Sequence, residues 1–272
     1  MQDAPIGKSS LARTRVSQLI REAGELFTVA DVARILKVSS VEAARSLSRW
    51  RKQGWFVRIK RGLYASVPIE AETSEQALED AWTLVPKLFG TAYIGGWSAT
   101  EYWDLTEQIF RDICVFSAQP IGRRKQNFHN IPFIVIHAPF EKQFGTKPIW
   151  RKETKILVSD PAKTIVDMLS NPVVGGGIQH VIDCLRRYFE RADFKSDLLL
   201  NYGDRLGNRA VFKRLGYLSS QILGEEHPLV AACALRLSKG NAQLDPSLKG
   251  DVLITRWRLF VHSSMALGER NP

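Results

Sequence analysis

The chain has 272 residues, 44% hydrophobic and 24% charged, which bounds it to one large or two ordinary folded domains and excludes a disordered chain. The longest apolar runs, such as Ile131-Pro132-Phe133-Ile134-Val135-Ile136, fall well short of the roughly 18–20 residues that a bilayer crossing needs, and residues 1–8 hold no apolar signal region, so a cytoplasmic chain without a membrane partner is expected. The formal net charge of +10 is uneven: residues 1–70 hold 13 Lys/Arg against 6 Asp/Glu, a net of +7, and the other 202 hold 25 against 22, a net of +3, so a small basic module facing a polyanion is expected beside a nearly neutral body.

Leu11, Val16, Leu19, Ile20 and Ala23 fall near helical spacing, which predicts a helix over 9–23, stopped by Gly24. Thr28 then stands as the N-cap of a short second helix. Asp31 places a carboxylate at that helix's positive end, and Val32, Ile35 and Leu36 make its apolar side. Lys37-Val38-Ser39-Ser40 reads as a tight turn, and Ser39 followed by Glu42 has the pattern of a capping box. A third helix is predicted over 40–53, with Val41, Ala44, Leu47 and Trp50 inward and Arg45, Arg49 and Lys52 on another stripe, ended by Gly54. Arg51 is basic but lies off that stripe.

Trp55-Phe56-Val57-Arg58-Ile59 and Leu63-Tyr64-Ala65-Ser66-Val67 have strand composition around a Lys60-Arg61-Gly62 turn, and Pro68 closes the hairpin. Two helices, a turn, a basic outer face and a basic hairpin predict a winged helix-turn-helix over 1–70. In such a module Arg45 and Arg49 can donate bidentately to guanine in the major groove. Arg58, Lys60 and Arg61 can reach phosphates or the minor groove, and Ser40 and Tyr64 are neutral phosphate donors. The DNA-binding candidates are therefore Thr28, Ser39, Ser40, Arg45, Arg49, Lys52, Arg58, Lys60, Arg61 and Tyr64. Winged helices also mediate protein contacts, and at this point both readings stand.

Residues 70–75, Glu-Ala-Glu-Thr-Ser-Glu, read as a junction. A helix is predicted over 76–84, ahead of Pro86, and another over 97–103. Strands are predicted over 113–117, 133–137 and 156–158, with a basic loop at Gly122-Arg123-Arg124-Lys125. Asp160 as N-cap and Pro161 at the first helical position open a helix over 160–169. Pro172 and Gly175-Gly176-Gly177 end that segment, and further helices follow over 178–189 and 204–223. The fold class is α+β: the winged helix, then a larger mixed α+β domain over 71–272 with a helical C-terminal half.

No set of residues completes a catalytic constellation. Tyr93-Ile94-Gly95-Gly96 followed by Asp112 echoes nucleotidyltransferases, which set two carboxylates on a strand for Mg²⁺, but Cys114 stands where the second acid belongs. Gly96-Trp97-Ser98-Ala99-Thr100 misses the second glycine of a nucleophile elbow. His129, His137, His180, His227 and His262 show no metal spacing, and Cys114, Cys184 and Cys233 form no Cys-x-x-Cys site. Gly175-Gly176-Gly177 lacks the Lys-Ser/Thr of a P-loop. The cationic rows Arg205, Arg209, Lys213 and Arg186, Arg187, Arg191 read as solvated polar faces. No catalytic residue, metal or cofactor is expected.

The chain resembles the AbiEi-type antitoxins, the transcriptional-regulator half of type IV toxin–antitoxin pairs. The resemblance rests on the winged helix, then on Tyr93-Ile94-Gly95-Gly96-Trp97-Ser98-Ala99-Thr100-Glu101-Tyr102-Trp103-Asp104-Leu105-Thr106-Glu107-Gln108. It continues through Asp160-Pro161-Ala162-Lys163-Thr164-Ile165-Val166-Asp167-Met168-Leu169 to Pro172 and Gly175-Gly176, and through Asn208-Arg209-Ala210-Val211-Phe212-Lys213-Arg214-Leu215-Gly216-Tyr217-Leu218. It implies an N-terminal domain that binds inverted repeats in its own promoter and represses it. It also implies a C-terminal domain that counteracts a nucleotidyltransferase-type toxin. A nucleotide-acting enzyme and a stand-alone winged-helix regulator are the alternatives.

Overall fold

In the computed structural model of the chain, residues 8–67 and 80–265 are described. They fall into two compact units. The first takes the described residues up to Leu84 with Asn127–Pro132 and Arg151–Thr154; the second takes Val85–Gln126, Phe133–Trp150 and those from Lys155 on. The junction expected at 70–75 and the turn-closing Pro68 lie outside the described residues.

In the first unit, α1 (Lys8–Ala23) ends at Gly24, whose φ of +75° suits a residue without a Cβ. β1 (Leu26–Thr28) leads directly into α2 (Val29–Leu36). The cap there is reciprocal: the Asp31 N–H donates to Thr28 Oγ1 at 3.2 Å, and the Thr28 N–H donates to Asp31 Oδ2 at 2.8 Å. At α3 (Ser40–Lys52) the forward bond of the expected box forms, Glu42 N–H to Ser39 Oγ at 3.2 Å, and no return bond from Glu42 accompanies it among the described residues. β2 (Phe56–Lys60) and β3 (Leu63–Ser66) form the hairpin, and β3 lies central in an antiparallel sheet of order β1-β3-β2. Phe27 meets Phe56 edge-on at 4.8 Å and Trp50 meets Phe56 at 5.8 Å, which ties the sheet to α3. Thr28→Ala removes the cap and should cost about 1 kcal/mol, read as a lower urea midpoint with an unchanged m-value. An unmoved midpoint would show that the box contributes nothing.

The buried face of α3 differs from the expected one. Ala43, Ser46, Leu47 and Trp50 are buried, while Val41 is 62% exposed and Ala44 is exposed. The helix is rotated so that Leu47 and Trp50 reach the Phe27–Phe56 cluster, and Ala43, not Ala44, shares their face.

Most of the second unit's strand residues belong to a six-stranded mixed sheet of order β6-β7-β5-β4-β9-β8, whose β6–β7 and β8–β9 ends, Asn127–Pro132 and Arg151–Thr154, count with the first unit. Its strands are β4 (Ala92–Ile94), β5 (Ile113–Ser117), β6 (Lys125–Phe128), β7 (Ile131–His137), β8 (Thr146–Arg151) and β9 (Thr154–Ser159). β4 pairs antiparallel with β5 and parallel with β9, and β5 pairs parallel with β7. The edge strands β6 and β8 are not expected from the sequence, because Lys125-Gln126-Asn127-Phe128 carries no apolar run.

The helix expected over 76–84 is corrected: its described part is a 3₁₀ turn, Ala81–Leu84, followed by α4 (Val85–Phe89), which holds Pro86 in its first turn where proline is tolerated. Next come α5 (Gly96–Tyr102), α6 (Pro161–Ser170) and α7 (Ile178–Phe189). The helix expected over 204–223 is two: α8 (Ser196–Leu206) ends at left-handed Gly207, and α9 (Ala210–Leu223) starts anew. After α10 (Pro228–Ala234), three short strands, β10 (Ala242–Gln243), β11 (Val252–Ile254) and β12 (Leu259–Val261), pair in the order β10-β12-β11. α6 is central: Pro161 to Leu169 are all buried, so it packs on every side.

Candidate nucleic-acid interface

α3 carries one continuous solvent-facing stripe. Val41, Ala44, Arg45, Ser48, Arg49 and Lys52 are exposed at spacings of three and four, opposite the buried Ala43, Leu47 and Trp50. Ser39 and Ser40 are exposed at its N-terminal end, the end that a recognition helix turns toward base edges. The stripe therefore mixes guanidinium donors with the small apolar surface that can meet a thymine methyl. Val41 and Ala44 belong to this face, and a sequence pattern of apolar spacing could only place them inward.

On the wing, Arg58 stands directly across from Tyr64 in the β2–β3 ladder, so their side chains share one face. A register shift lies between Arg58 and Lys60, and Gly62, at φ +83°, makes the reversal after the exposed Arg61. Lys60 and Tyr64 are half-buried. The Thr28 hydroxyl donates to Asp31 Oδ2 at 2.8 Å, which commits it to the α2 cap.

The electrostatics separate this unit from the other. Arg45, Arg49, Arg51, Lys52, Arg58 and Arg61 meet no carboxylate among the described residues. In the second unit the cationic rows are engaged. Arg186 pairs with Asp183 at 3.2 Å, Arg187 with Glu107 at 2.7 Å, and Arg191 with Asp193 at 2.7 Å. The bond from Arg187 holds the Glu107 carboxyl below its usual range. Arg209 pairs with Asp204 at 2.7 Å, and Arg205 lies 3.8 Å over the Phe144 ring. Lys213 is buried and donates to the Gly240 carbonyl. The expectation of solvated faces is therefore corrected for Lys213, and the neighbouring Arg214 is buried too, donating to the carbonyls of Leu169 and Gln243 at 2.7 Å.

The nucleotidyltransferase echo resolves into packing. Asp112 pairs with Lys125 at 3.5 Å, while Cys114 is fully buried, and burial pushes its thiol strongly upward. The Ser98 hydroxyl accepts the Cys114 N–H at 2.9 Å and is buried. His180 is held between the Gly175 carbonyl at 2.5 Å and the Thr106 hydroxyl at 2.9 Å. Among the described residues no group of three His, Cys, Asp or Glu stands close enough to hold a metal ion.

A two-helix turn, a wing and an uncompensated basic stripe are the parts of a DNA-reading module. Residues 15–67 match the family of AbiEi antitoxin transcriptional regulators. All ten candidate positions lie within the AbiEi match, which supports a DNA-binding antitoxin regulator. The crystal structure of the RV2827C protein from Mycobacterium tuberculosis has a similar fold, with a TM-score of 0.60 at 16% identity over 92% of this chain and 91% of that one. No curated protein matches the chain. Among the described residues no helix is long and apolar enough to cross a membrane.

Proposed function

We propose that the chain is a DNA-binding autorepressor and the antitoxin of a type IV toxin–antitoxin pair. In this reading residues 1–70 bind inverted repeats in the chain's own promoter. Arg45 and Arg49 read bases, with Ser39, Ser40 and Lys52 beside them on or next to α3. Arg58, Lys60, Arg61 and Tyr64 hold the backbone from the wing, and Thr28 orients α2 through its cap. Residues 71–272 neutralise a nucleotidyltransferase-type toxin without turnover, and the whole works in the cytoplasm. The observation that carries the reading is the α3 stripe, whose cations have no carboxylate partner among the described residues, while the cationic rows of the second unit are engaged by carboxylates, a ring or carbonyls. The AbiEi match supports the antitoxin role.

Footprinting of the full chain on the DNA upstream of its gene is the test, with two protected half-sites as the expected result. No protection anywhere there would overturn the reading. Within it, Lys60→Ala/Arg61→Ala should weaken binding to all duplexes about equally and flatten the plot of log affinity against log salt by up to about 2, one for each phosphate left without its cation. A loss confined to one operator sequence would instead make the wing tip a base reader.

A further inference from the structure

At the C-terminal end of α3, this helix and the wing line an open cavity of about 430 Å³, and all of its lining belongs to the first unit. Arg51 and Lys52 enter it from the last turn of α3, Arg58 from β2, and His129 from the segment Asn127–Pro132. Resting on the DNA-binding reading, we infer that these four side chains form an anion site for one phosphodiester of the DNA backbone, which meets the α3 stripe at Lys52 and lies apart from the base-reading Arg45 and Arg49.

Arg51, Lys52 and Arg58 bring three cations to one cavity, and none has a carboxylate partner among the described residues. Gathering like charges costs stability unless an anion joins them. The α3 dipole explains cations at its C-terminal end, namely Arg51 and Lys52, since the carbonyls there are the negative pole. It does not explain Arg58, which lies on another element. Arg51 follows Arg49 by two residues, roughly 200° around the helix, so it cannot share the groove face that Arg49 serves.

His129 supplies an independent observation. It and Asn130 form the two-residue link between β6 and β7, at φ +51° and +62°. Such a link requires positive φ at both positions and favours Asn-Gly, and a histidine there carries a modest backbone strain that glycine would not. Glycine would relieve the strain but would bring no imidazole to the cavity. Strain kept at a position that lines a cationic cavity points to a role for the side chain.

The remaining lining fits a nucleic-acid backbone. Val57 and Phe56 make an apolar floor suited to a deoxyribose. Gly54, at φ +81°, has open space where a Cβ would stand, so the rim stays clear for an approaching strand. The cavity is larger than a lone phosphate requires, which favours a phosphate still attached to its sugars.

The test uses the full chain and its upstream duplex, with anisotropy titrations over a salt series and an unrelated duplex in parallel. Arg51→Ala and Arg58→Ala should each lower affinity several-fold on both duplexes and flatten the salt plot by about 1. Ethylation of one phosphate per half-site, which should block the wild-type chain, should no longer matter to these variants. His129→Gly keeps the turn and should leave the melting temperature equal or higher while weakening binding on both duplexes. If the wild type binds and the variants match it in affinity and salt dependence, this inference fails and the base-reading stripe stands. A loss confined to the specific operator also overturns it, by making these residues base readers. A wild-type chain that binds no duplex at all overturns the DNA reading and this inference with it.

Discussion

The double substitution Arg45→Ala/Arg49→Ala should abolish discrimination between the operator and unrelated DNA. A bidentate arginine–guanine contact contributes about 1–3 kcal/mol of discrimination, so losing two should lower operator affinity by roughly 30-fold to 10⁴-fold. The fold should survive. Both residues are exposed and without ion pairs among the described residues, and alanine is the best helix former, so the melting temperature should move little. Gel shifts on the operator and on a scrambled duplex separate the two effects. Equal loss on both would make these arginines backbone contacts, and unchanged operator binding would remove α3 from the recognition role. Val41, 62% exposed on the same face, sharpens the reading. A thymine methyl beneath it predicts that Val41→Ser weakens binding at a single base pair only.

The largest stability effect should come from Lys163. Its ammonium is fully buried and donates to Asp167 at 2.5 Å and to the Tyr93 hydroxyl at 2.9 Å, while the Tyr93 hydroxyl donates to the other Asp167 oxygen at 2.9 Å. Lys163→Met leaves a buried carboxylate without its counter-charge and should cost about 3–5 kcal/mol. At about 2–4 °C per kcal/mol this is a fall of roughly 6–20 °C in melting temperature. Burial already pushes the Asp167 carboxyl upward, and Lys163 opposes that push. Without the lysine the folded pKa stands well above the unfolded value. A group of that kind is neutral and tolerated in acid, and it costs stability as pH rises through its folded pKa. The deficit should therefore be smallest near pH 4 and widen toward neutrality. The triple variant Lys163→Met/Asp167→Leu/Tyr93→Phe should recover much of the loss, since an apolar trio leaves no buried charge. A single variant as stable as the wild type at pH 7 would show that the network is not closed to water.

Much of the local structure was legible because its causes are local. Thr28, Ser39 and Asp160 each cap a backbone N–H three residues on, so the helix starts stand in the sequence itself. Gly24 and the Ile178–Phe189 pattern are legible for the same reason. The face of α3 was not. Ala43 and Ala44 are the same residue type, and Val41 is as apolar as a core position demands. Which of them is buried depends on Phe27 and Phe56, on strands outside the helix. Of the candidate interface, the Arg45–Arg49–Lys52 stripe could be read from spacing alone. Arg51 and His129 could not be joined, because the segment holding His129 is separated from α3 by more than seventy residues.

The amino-acid order alone determined where helices begin, that the first quarter is strongly basic, and that a helix-turn-helix with a wing would form there. Each of these follows from interactions among near neighbours or from composition. Only the tertiary structure decided which cations remain unanswered. Arg187 meets Glu107 across eighty positions, Lys163 meets Tyr93 across seventy, and Arg214 finds its carbonyls thirty and forty-five away. Pairing energy depends on distance in space, which separation along the chain does not report.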